Sequence, residues 1–128
     1  MQILLLLLLL NTLTYSSART LDVPFVEFPM SGGNKSLSVE SGQDFIVQLS
    51  DFTSTGYVWF FDDISDDSVV KYNGNKTGGG VTSPPYMNVS FISSNPGSAE
   101  CSMVHVKPWM YNDPTADRGY ARLKLVVS

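Results

Sequence analysis

Cys101 and His105 form the only thiol–imidazole pair that this chain could use for nucleophilic chemistry, since it has one cysteine and one histidine. The two lie four residues apart on a predicted strand, where they share a face but stand roughly 13 Å apart. A nucleophile and its base must approach to about 3 Å. We therefore predict that the chain is not an enzyme, and that both side chains point into the core or its edge.

Two other segments have the composition of ligand sites without the required spacing. An acidic run at residues 62–67 lacks the glycine and distal glutamate of an EF-hand, so it predicts a solvated loop and no metal site. The glycines at 78–80 are followed by neither a Lys-Ser/Thr pair nor a helix, so they predict no phosphate loop. A plain hairpin loop explains this glycine segment equally well.

Trp109 is the most informative loop residue. It follows Pro108 in a segment that Pro114 closes, and we predict that this segment is a loop. A tryptophan there requires either packing inside the protein or a binding partner. Tryptophan is also enriched among the residues that dominate binding energies. The residues alone leave both explanations open.

Charge and length restrict the class of protein. The chain has 128 residues, which fits one domain, and its 12 acidic and 8 basic side chains give a net charge of −4. Such a chain lacks the basic surface of a nucleic-acid-binding protein, so we expect no nucleic-acid partner. One cysteine permits no intrachain disulfide, so stability must come from the core. We expect a monomer.

Residues 1–18 resemble a secretory signal peptide. Seven leucines at residues 4–10 precede a polar stretch that ends in Ser16 and Ala18, a small-residue cleavage pattern. The run is too short to span a bilayer, which takes about 20 residues. The alternative is a buried apolar strand at the N-terminus. We predict cleavage near Ala18, a mature domain at 19–128 with no membrane contact, and a secreted or endosomal–lysosomal destination.

Three N-x-S/T triplets are candidate glycosylation sites in a secreted protein, at Asn34, Asn75 and Asn88. Asn88 lies in a predicted strand, and there we favour a chance occurrence of the triplet.

The strands that must position the loops follow from alternation and turn signals. Residues 86–93 and 118–127 alternate apolar and polar side chains, which predicts half-buried strands. Residues 57–61 are apolar throughout, which predicts a strand covered on both faces or at a sheet centre. Residues 73–80 are polar and glycine-rich, which predicts a loop. In total we predict seven or eight strands in an all-β sandwich of immunoglobulin-like type.

Three loops of such a sandwich could meet at one end. They are the small hydroxylated loop at 51–56, the glycine loop at 73–84 and the tryptophan loop at 107–117. Together they would form one composite surface on a rigid scaffold.

The motifs in these loops resemble those of the chagasin-type inhibitors of papain-like cysteine peptidases. The sequence Thr55-Gly56-Tyr57-Val58-Trp59 resembles the family's Asn-Pro-x-Thr-Gly-Tyr loop, residues 77–80 resemble its Gly-x-Gly-Gly loop, and Lys107-Pro108-Trp109 resembles its Arg-Pro-Trp loop. The order and spacing hold from about Ser36 to Val127. This sequence departs from the family pattern at Phe52, Thr53, Thr77 and Lys107.

The resemblance implies a cofactor-free inhibitor whose partner is a papain-like (cathepsin L/B-type) cysteine peptidase. Ser54, Thr55 and Gly56 would lie over the catalytic cysteine and histidine, the glycine loop would run along the non-primed subsites, and Trp109 would pack on the primed side. The resemblance implies the following set of peptidase-binding residues: Thr53, Ser54, Thr55, Gly56, Tyr57, Thr77, Gly78, Gly79, Gly80, Lys107, Pro108 and Trp109. The alternative class is a secreted immunoglobulin-like adhesion or carbohydrate-binding module that uses the same aromatic loop.

Overall fold

The computed structural model describes residues 23–51, 55–79 and 83–128. Within these ranges the chain forms eight strands, and Pro108–Met110 forms a short 3₁₀ turn. The strands are β1 (Phe25–Phe28), β2 (Gly33–Val39), β3 (Asp44–Ser50), β4 (Val58–Ile64), β5 (Val70–Gly78), β6 (Tyr86–Ser93), β7 (Gly97–Val106) and β8 (Gly119–Val127). The predicted signal peptide at 1–18 lies outside the described residues.

The strands form two four-stranded sheets, as predicted for an immunoglobulin-like sandwich. One sheet has the order β1-β3-β6-β5 and the other β2-β8-β7-β4. Each sheet is mixed, because β1 pairs parallel with β3 and β2 pairs parallel with β8, while the other pairs are antiparallel.

The core lies between the sheets and is built by period-2 alternation. On β6 the buried residues are Met87, Val89 and Phe91, and on β8 they are Ala121, Leu123 and Leu125, as the alternation predicts. The Phe45 and Phe91 rings stack across the β3–β6 pair with centroids 5.1 Å apart. Burial of each such side chain stabilises the fold by about 1.5–3 kcal/mol.

The prediction for residues 57–67 is wrong in two respects. First, β4 does not lie at a sheet centre but is the edge strand of its sheet. Its apolar residues are nevertheless covered on both faces, because Trp59 and Phe61 pack into the main core and Phe60 packs against the cluster of Val104, Val106 and Ala116. Second, β4 continues through Asp62 and Asp63 to Ile64, although these residues were expected to form a loop. An edge strand can carry aspartates on its exposed positions, and a bulge between Phe61 and Asp63 keeps the pairing with β7.

The glycine-rich segment at 73–80 is mostly strand and not loop. β5 extends to Gly78, and it shifts register between Tyr72 and Asn75. Gly74 lies in this irregularity with a positive φ of 97°. The turn-forming residues therefore produce a bulge inside a strand and do not end it.

The described part of the chain contains neither a membrane-spanning helix nor a cluster of metal ligands. Across residues 23–51, 55–79 and 83–128, no helix is long and apolar enough to cross a membrane. The same ranges contain no group of three or more histidine, cysteine, aspartate or glutamate side chains arranged to hold a metal ion.

Candidate functional site at one end of the sandwich

Strand register brings the segments after β3 and before β6 together. Ser50, the last residue of β3, pairs with Tyr86, the first residue of β6. The next residue, Asp51, donates its backbone N–H to the carbonyl oxygen of Pro85 at 3.1 Å. Asp51 begins the loop at 51–57 (the central loop), and Pro85 ends the segment at 79–85 that joins β5 to β6 (the glycine segment), so these two residues lie side by side.

The other side of the central loop meets the segment that joins β7 to β8. Val58, the first residue of β4, pairs with Val106, the last residue of β7. The segment at 107–118 (the tryptophan loop) therefore lies beside residues 55–57. The described residues of the three segments therefore form a row, in which Asp51 and residues 55–57 stand between Pro85 on one side and the tryptophan loop on the other.

Glycine is required where the glycine segment begins. Gly79 has a φ of 72°, and a Cβ on it would collide with the carbonyl oxygen of Pro84. A Cβ on Gly78 would collide with the hydroxyl of Tyr86. The chain therefore turns tightly at Gly79, which is exposed, while the Tyr86 side chain packs closely over Gly78.

The tryptophan loop is fixed from below by apolar contacts. Ala116 and the half-buried Met110 pack against Val104 and Val106 on the outer face of β7. Tyr111 meets the Phe60 ring edge-on with centroids 5.1 Å apart. These contacts form a second small core outside the sandwich.

A single guanidinium group closes the same loop. Arg118 donates from Nη2 to the carbonyl oxygens of Met110, Tyr111 and Asp113, at 3.4, 3.1 and 2.7 Å. Thr115 donates from its backbone N–H and its hydroxyl to Oδ1 of Asp113, at 2.9 and 2.8 Å. These hydrogen bonds, the backbone one first, lower the pKa of the Asp113 carboxyl.

Trp109 projects outward from this fixed loop. It is 74% exposed, the highest value among the large apolar side chains that the structure describes. The sequence left open whether Trp109 packs internally or awaits a partner, and its exposure excludes internal packing. The short 3₁₀ turn explains this, because Met110 faces the second core while Trp109 points to solvent.

Lys107 connects the tryptophan loop to the central loop. Its Nζ lies 5.5 Å from the centroid of the Tyr57 ring and 5.9 Å from that of Trp109. A cation at this distance is attracted to both ring faces. The Tyr57 hydroxyl also donates to Oδ2 of Asp117 at 3.4 Å. The two loops are thus held together by weak polar contacts at the surface.

Beside the ends of the central loop lie two buried polar side chains: His105, which the sequence predicted to point into the core or its edge, and Asp51, which it did not. His105 is 8% exposed, and its ring packs against Tyr57 and Trp59 with centroids 5.4 and 4.7 Å away. Asp51 is 5% exposed. Burial lowers the pKa of His105 and raises that of Asp51, and the attraction between the two opposes both shifts. In the sequence, His105 lies two residues before Lys107, and Asp51 is the first residue after β3. Only these positions could have suggested that the two side chains lie close to the site.

Cys101 is not available for nucleophilic chemistry. It is fully buried, and burial, with a smaller effect of Glu100, raises the pKa of its thiol to about 12. It lies on β7 four residues from His105, as expected from sequence.

The structure brings six of the sequence-derived site residues together: Thr55, Gly56, Tyr57, Lys107, Pro108 and Trp109. Thr77, Gly78 and Gly79 lie at the neighbouring end of β5, with Thr77 and Gly78 in the strand and not in a loop. Thr53, Ser54 and Gly80, and also Phe52, lie outside the described residues. Arg118, His105 and Asp51 support the site but were not recognised from sequence as its residues.

The three candidate glycosylation sites differ in exposure. Asn34 on β2 and Asn75 on β5 are exposed. Asn88 on β6 is half-buried, and its Oδ1 is buried without a hydrogen-bond partner among the described residues.

Comparison with known proteins found similarity in structure but not in sequence. No family model and no curated protein matches this chain. A cysteine protease inhibitor from Entamoeba histolytica, EhICP2, superposes with a TM-score of 0.59 at 12% identity, over 83% of this chain and 97% of its own. PbICP-C, solved in complex with falcipain-2, gives 0.63 at 14% identity, over 82% and 99%. Amebosin gives 0.55 at 20% identity, over 82% and 99%. These matches show that the chain shares their fold.

Proposed function

We propose that this protein is a reversible, tight-binding inhibitor of papain-like (cathepsin L/B-type) cysteine peptidases, and that it blocks their active-site cleft with three loops. The observation that carries the proposal is the row at one end of the sandwich, in which an exposed Trp109 flanks Thr55 and Gly56. The resemblance of the three loop motifs to the chagasin type supports it, as does the shared fold with EhICP2 and with PbICP-C, which was solved with a bound partner.

The physical features of the row suit insertion into a cleft. Gly79 is exposed and has no side chain, so an extended peptide-binding groove can approach the backbone closely there. Trp109 is 74% exposed, so it supplies a large apolar surface that a partner can bury. The tryptophan loop is held by Arg118 and the second core, so little conformational entropy is lost when it docks.

The proposed mechanism needs no chemistry from the inhibitor. Thr55 and Gly56 would stand over the catalytic cysteine and histidine of the peptidase, and no bond would be cleaved. No cofactor or metal takes part. We also propose that the chain enters the secretory pathway and acts as a monomer, either outside the cell or in the endosomal–lysosomal route.

The test is a titration of papain and a cathepsin L-like peptidase, with a fluorogenic peptide as substrate. The protein would be purified after expression of the full chain in a secreting eukaryotic host. We expect inhibition at nanomolar concentration that reverses on dilution, with the inhibitor chain intact on a denaturing gel. The inhibitor should also slow alkylation of the peptidase's active-site cysteine. Folded protein that fails to inhibit at micromolar concentration would refute the proposal.

A matched pair of variants tests the central position of the loop. Thr55→Arg places a long cation at the centre of the row and should abolish inhibition while the domain stays folded. Ser38→Arg adds the same side chain at an exposed position on β2, outside the three segments, and should inhibit like the natural chain. Retained inhibition by a folded Thr55→Arg variant would show that this loop does not occupy the cleft.

A further inference from the structure

A groove outside the three segments lies on the open side of the sandwich, between β4 and β5. These strands are the outer strands of different sheets, and neither has a second neighbouring strand among the described residues. Phe61 of β4 and Tyr72 of β5 stack across the gap, with ring centroids 4.3 Å apart and an interplanar angle of 12°. The two rings and Ile64 form the apolar floor of a groove of about 490 Å³. This volume lies in the range of pockets that hold ligands.

Tyr72 is the accessible part of this floor. It is 39% exposed, although it meets Phe91 edge-on with centroids 6.2 Å apart. Because Phe61 and Phe91 both contact the ring, its orientation is fixed before any partner binds. An exposed aromatic ring held in this way can bind a cation or another flat group.

Carboxylates form the rim of the same groove. Asp63, Asp66 and Asp67 line it, and all three are exposed. Lys71 is the only cation among the described residues of the lining, and no ion pair joins it to these aspartates there. The rim therefore carries an excess of negative charge that the described residues do not neutralise.

The turn that carries part of this rim is fixed by hydrogen bonds. Oδ1 of Asp66 accepts from the backbone N–H of Ser68 at 3.0 Å and from its hydroxyl at 2.6 Å. These bonds, the hydroxyl one first, lower the pKa of the Asp66 carboxyl. Ser65 donates its backbone N–H to the carbonyl oxygen of Glu100 at 2.9 Å, and its Oγ accepts from the Glu100 N–H at 2.7 Å. The rim is therefore preorganised, which reduces the entropy that binding would cost.

Charge and shape together select one class of occupant. The described residues hold no group of ligands arranged for a metal ion. A second copy of the chain is a poor occupant, because the described arginines are engaged: Arg118 closes the tryptophan loop, and Arg122 lies 4.4 Å from the centroid of the Tyr120 ring.

An arginine side chain from another protein suits both features of the groove. Its guanidinium plane stacks on aromatic rings, and its N–H groups pair with carboxylates. The open edges of β4 and β5 can also receive the backbone of an extended segment.

We propose that the groove between β4 and β5 binds an extended, arginine-containing segment of a protein partner, with a guanidinium group placed at Tyr72 and at the carboxylates of Asp63 and Asp67. This inference goes beyond the proposed function and does not depend on it. The groove lies at the start of β5 and the glycine segment at its end, so Tyr72 and Gly78 are more than about 15 Å apart along the strand. Both surfaces can therefore be occupied at once.

The first test is an NMR titration of the full chain, purified from a secreting host, with the peptide acetyl-Thr-Arg-Thr-Arg-Thr-amide at physiological ionic strength. We expect saturable shifts of the Asp63 and Tyr72 amide signals, with a dissociation constant below about 1 mM, and an unmoved Gly56 amide. The same peptide with citrulline in place of arginine keeps the shape but not the charge, and should not bind. Equal binding of the citrulline peptide, or equal shifts with spermine, would overturn the proposal, because the arginine side chain would then not be recognised.

Matched variants identify the groups that bind the peptide. Tyr72→Leu removes the aromatic ring and Asp67→Asn removes a carboxylate, and each should weaken peptide binding by at least about threefold. Tyr72→Phe keeps the ring, and Asp44→Asn removes an exposed carboxylate of β3 outside the groove, so both should bind like the natural chain. Equal losses in Asp67→Asn and Asp44→Asn would show a general charge effect and overturn the proposal.

Inhibition assays separate this groove from the row of loops. Tyr72→Leu and Asp67→Asn should inhibit a papain-like peptidase like the natural chain, because the groove lies away from the three segments. Loss of inhibition by a folded Asp67→Asn variant would show that the groove is not a separate site. A natural chain that binds the peptide but inhibits no peptidase would support the groove and refute the proposed function.

Discussion

The Trp109 indole lies against the backbone of Gly56: a Cβ built on Gly56 would stand 3.6 Å from Cη2 of the indole. Gly56 also has a φ of 85°, a conformation that most side chains disfavour. The tryptophan loop and the central loop therefore meet at Gly56. Glycine is favoured there for two reasons: it adopts the positive φ without strain, and it leaves room for the indole. The orientation of the Trp109 indole therefore depends on the absence of a side chain at residue 56.

Gly56→Asn tests this relationship, because asparagine tolerates a positive φ but extends beyond Cβ into the indole. We expect an almost unchanged free energy of unfolding and at least tenfold weaker inhibition, about 1.4 kcal/mol. Gly42→Asn is the matched control, since Gly42 has a φ of 83° and open space around its Cβ position. Equal inhibition by both variants would show that the Trp109–Gly56 contact has no role in binding.

Trp109→Ala should weaken inhibition by about 2–4 kcal/mol, as expected for an aromatic anchor that is buried on binding. Its stability should change little, because the side chain is 74% exposed in the free protein. Phe25→Ala removes another exposed aromatic, on β1 away from the three segments, and should leave inhibition unchanged. An unchanged inhibition constant for Trp109→Ala would remove this residue from the site.

Arg118→Ala should lower the free energy of unfolding by about 1–3 kcal/mol, because it leaves three carbonyl oxygens without their charged donor. Inhibition should weaken as well, since the tryptophan loop loses its closure. Arg122→Ala is the comparison: Arg122 is 4.0 Å from Glu100 and 4.4 Å from the centroid of the Tyr120 ring, both at the surface, so its loss should cost about 1 kcal/mol or less. Urea unfolding of both variants would measure the difference, and equal losses would contradict it.

The sequence predicted the strands whose side chains alternate. In β6 and β8 one face is buried and the other exposed, so residues such as Val89 and Leu123 could be assigned to the core by period alone. The sequence failed to predict where β4 and β5 end, and both are edge strands. An edge strand exposes positions that a central strand buries, so it can contain polar residues and glycine. Asp62 and Gly74 were therefore predicted to lie in loops, although they lie within strands.

Sequence motifs that are contiguous in the chain could be predicted to belong to the candidate site, whereas contacts between residues distant in the chain could not. The motifs around Gly56, Gly79 and Trp109 are contiguous in sequence and could be recognised directly. The electrostatic interaction between Asp51 and His105 joins residues that are distant in the chain, and so does the contact between Gly56 and Trp109. Such pairs arise from strand register across two sheets, which alternation and turn signals do not determine.

Cys101 should react slowly with a thiol reagent such as a disulfide dye while the protein is folded. The thiol is fully buried and its pKa is raised to about 12, so almost no thiolate forms near pH 8 and little of it is accessible. Unfolding in guanidinium should release the full reactivity of one thiol per chain, which serves as the internal control. Rapid reaction of the folded chain would show that Cys101 is accessible and would reopen its assignment as a core residue.

Glycosylation should distinguish the three N-x-S/T triplets when the full chain passes through a secretory pathway. We expect glycans on Asn34 and Asn75, which are exposed, and none on Asn88, which is half-buried on β6 with strands paired on both sides. Mass spectrometry of peptides after glycosidase treatment would detect each occupied site as a conversion of asparagine to aspartate.

A glycan on Asn75 would lie near Gly79 and hinder docking, so the Asn75→Gln variant should bind the peptidase faster than the glycosylated natural chain. Asn34→Gln, on the edge strand β2, should associate at the rate of the natural chain. Occupancy of Asn88, or equal association rates for the two variants when both sites are glycosylated, would contradict this prediction.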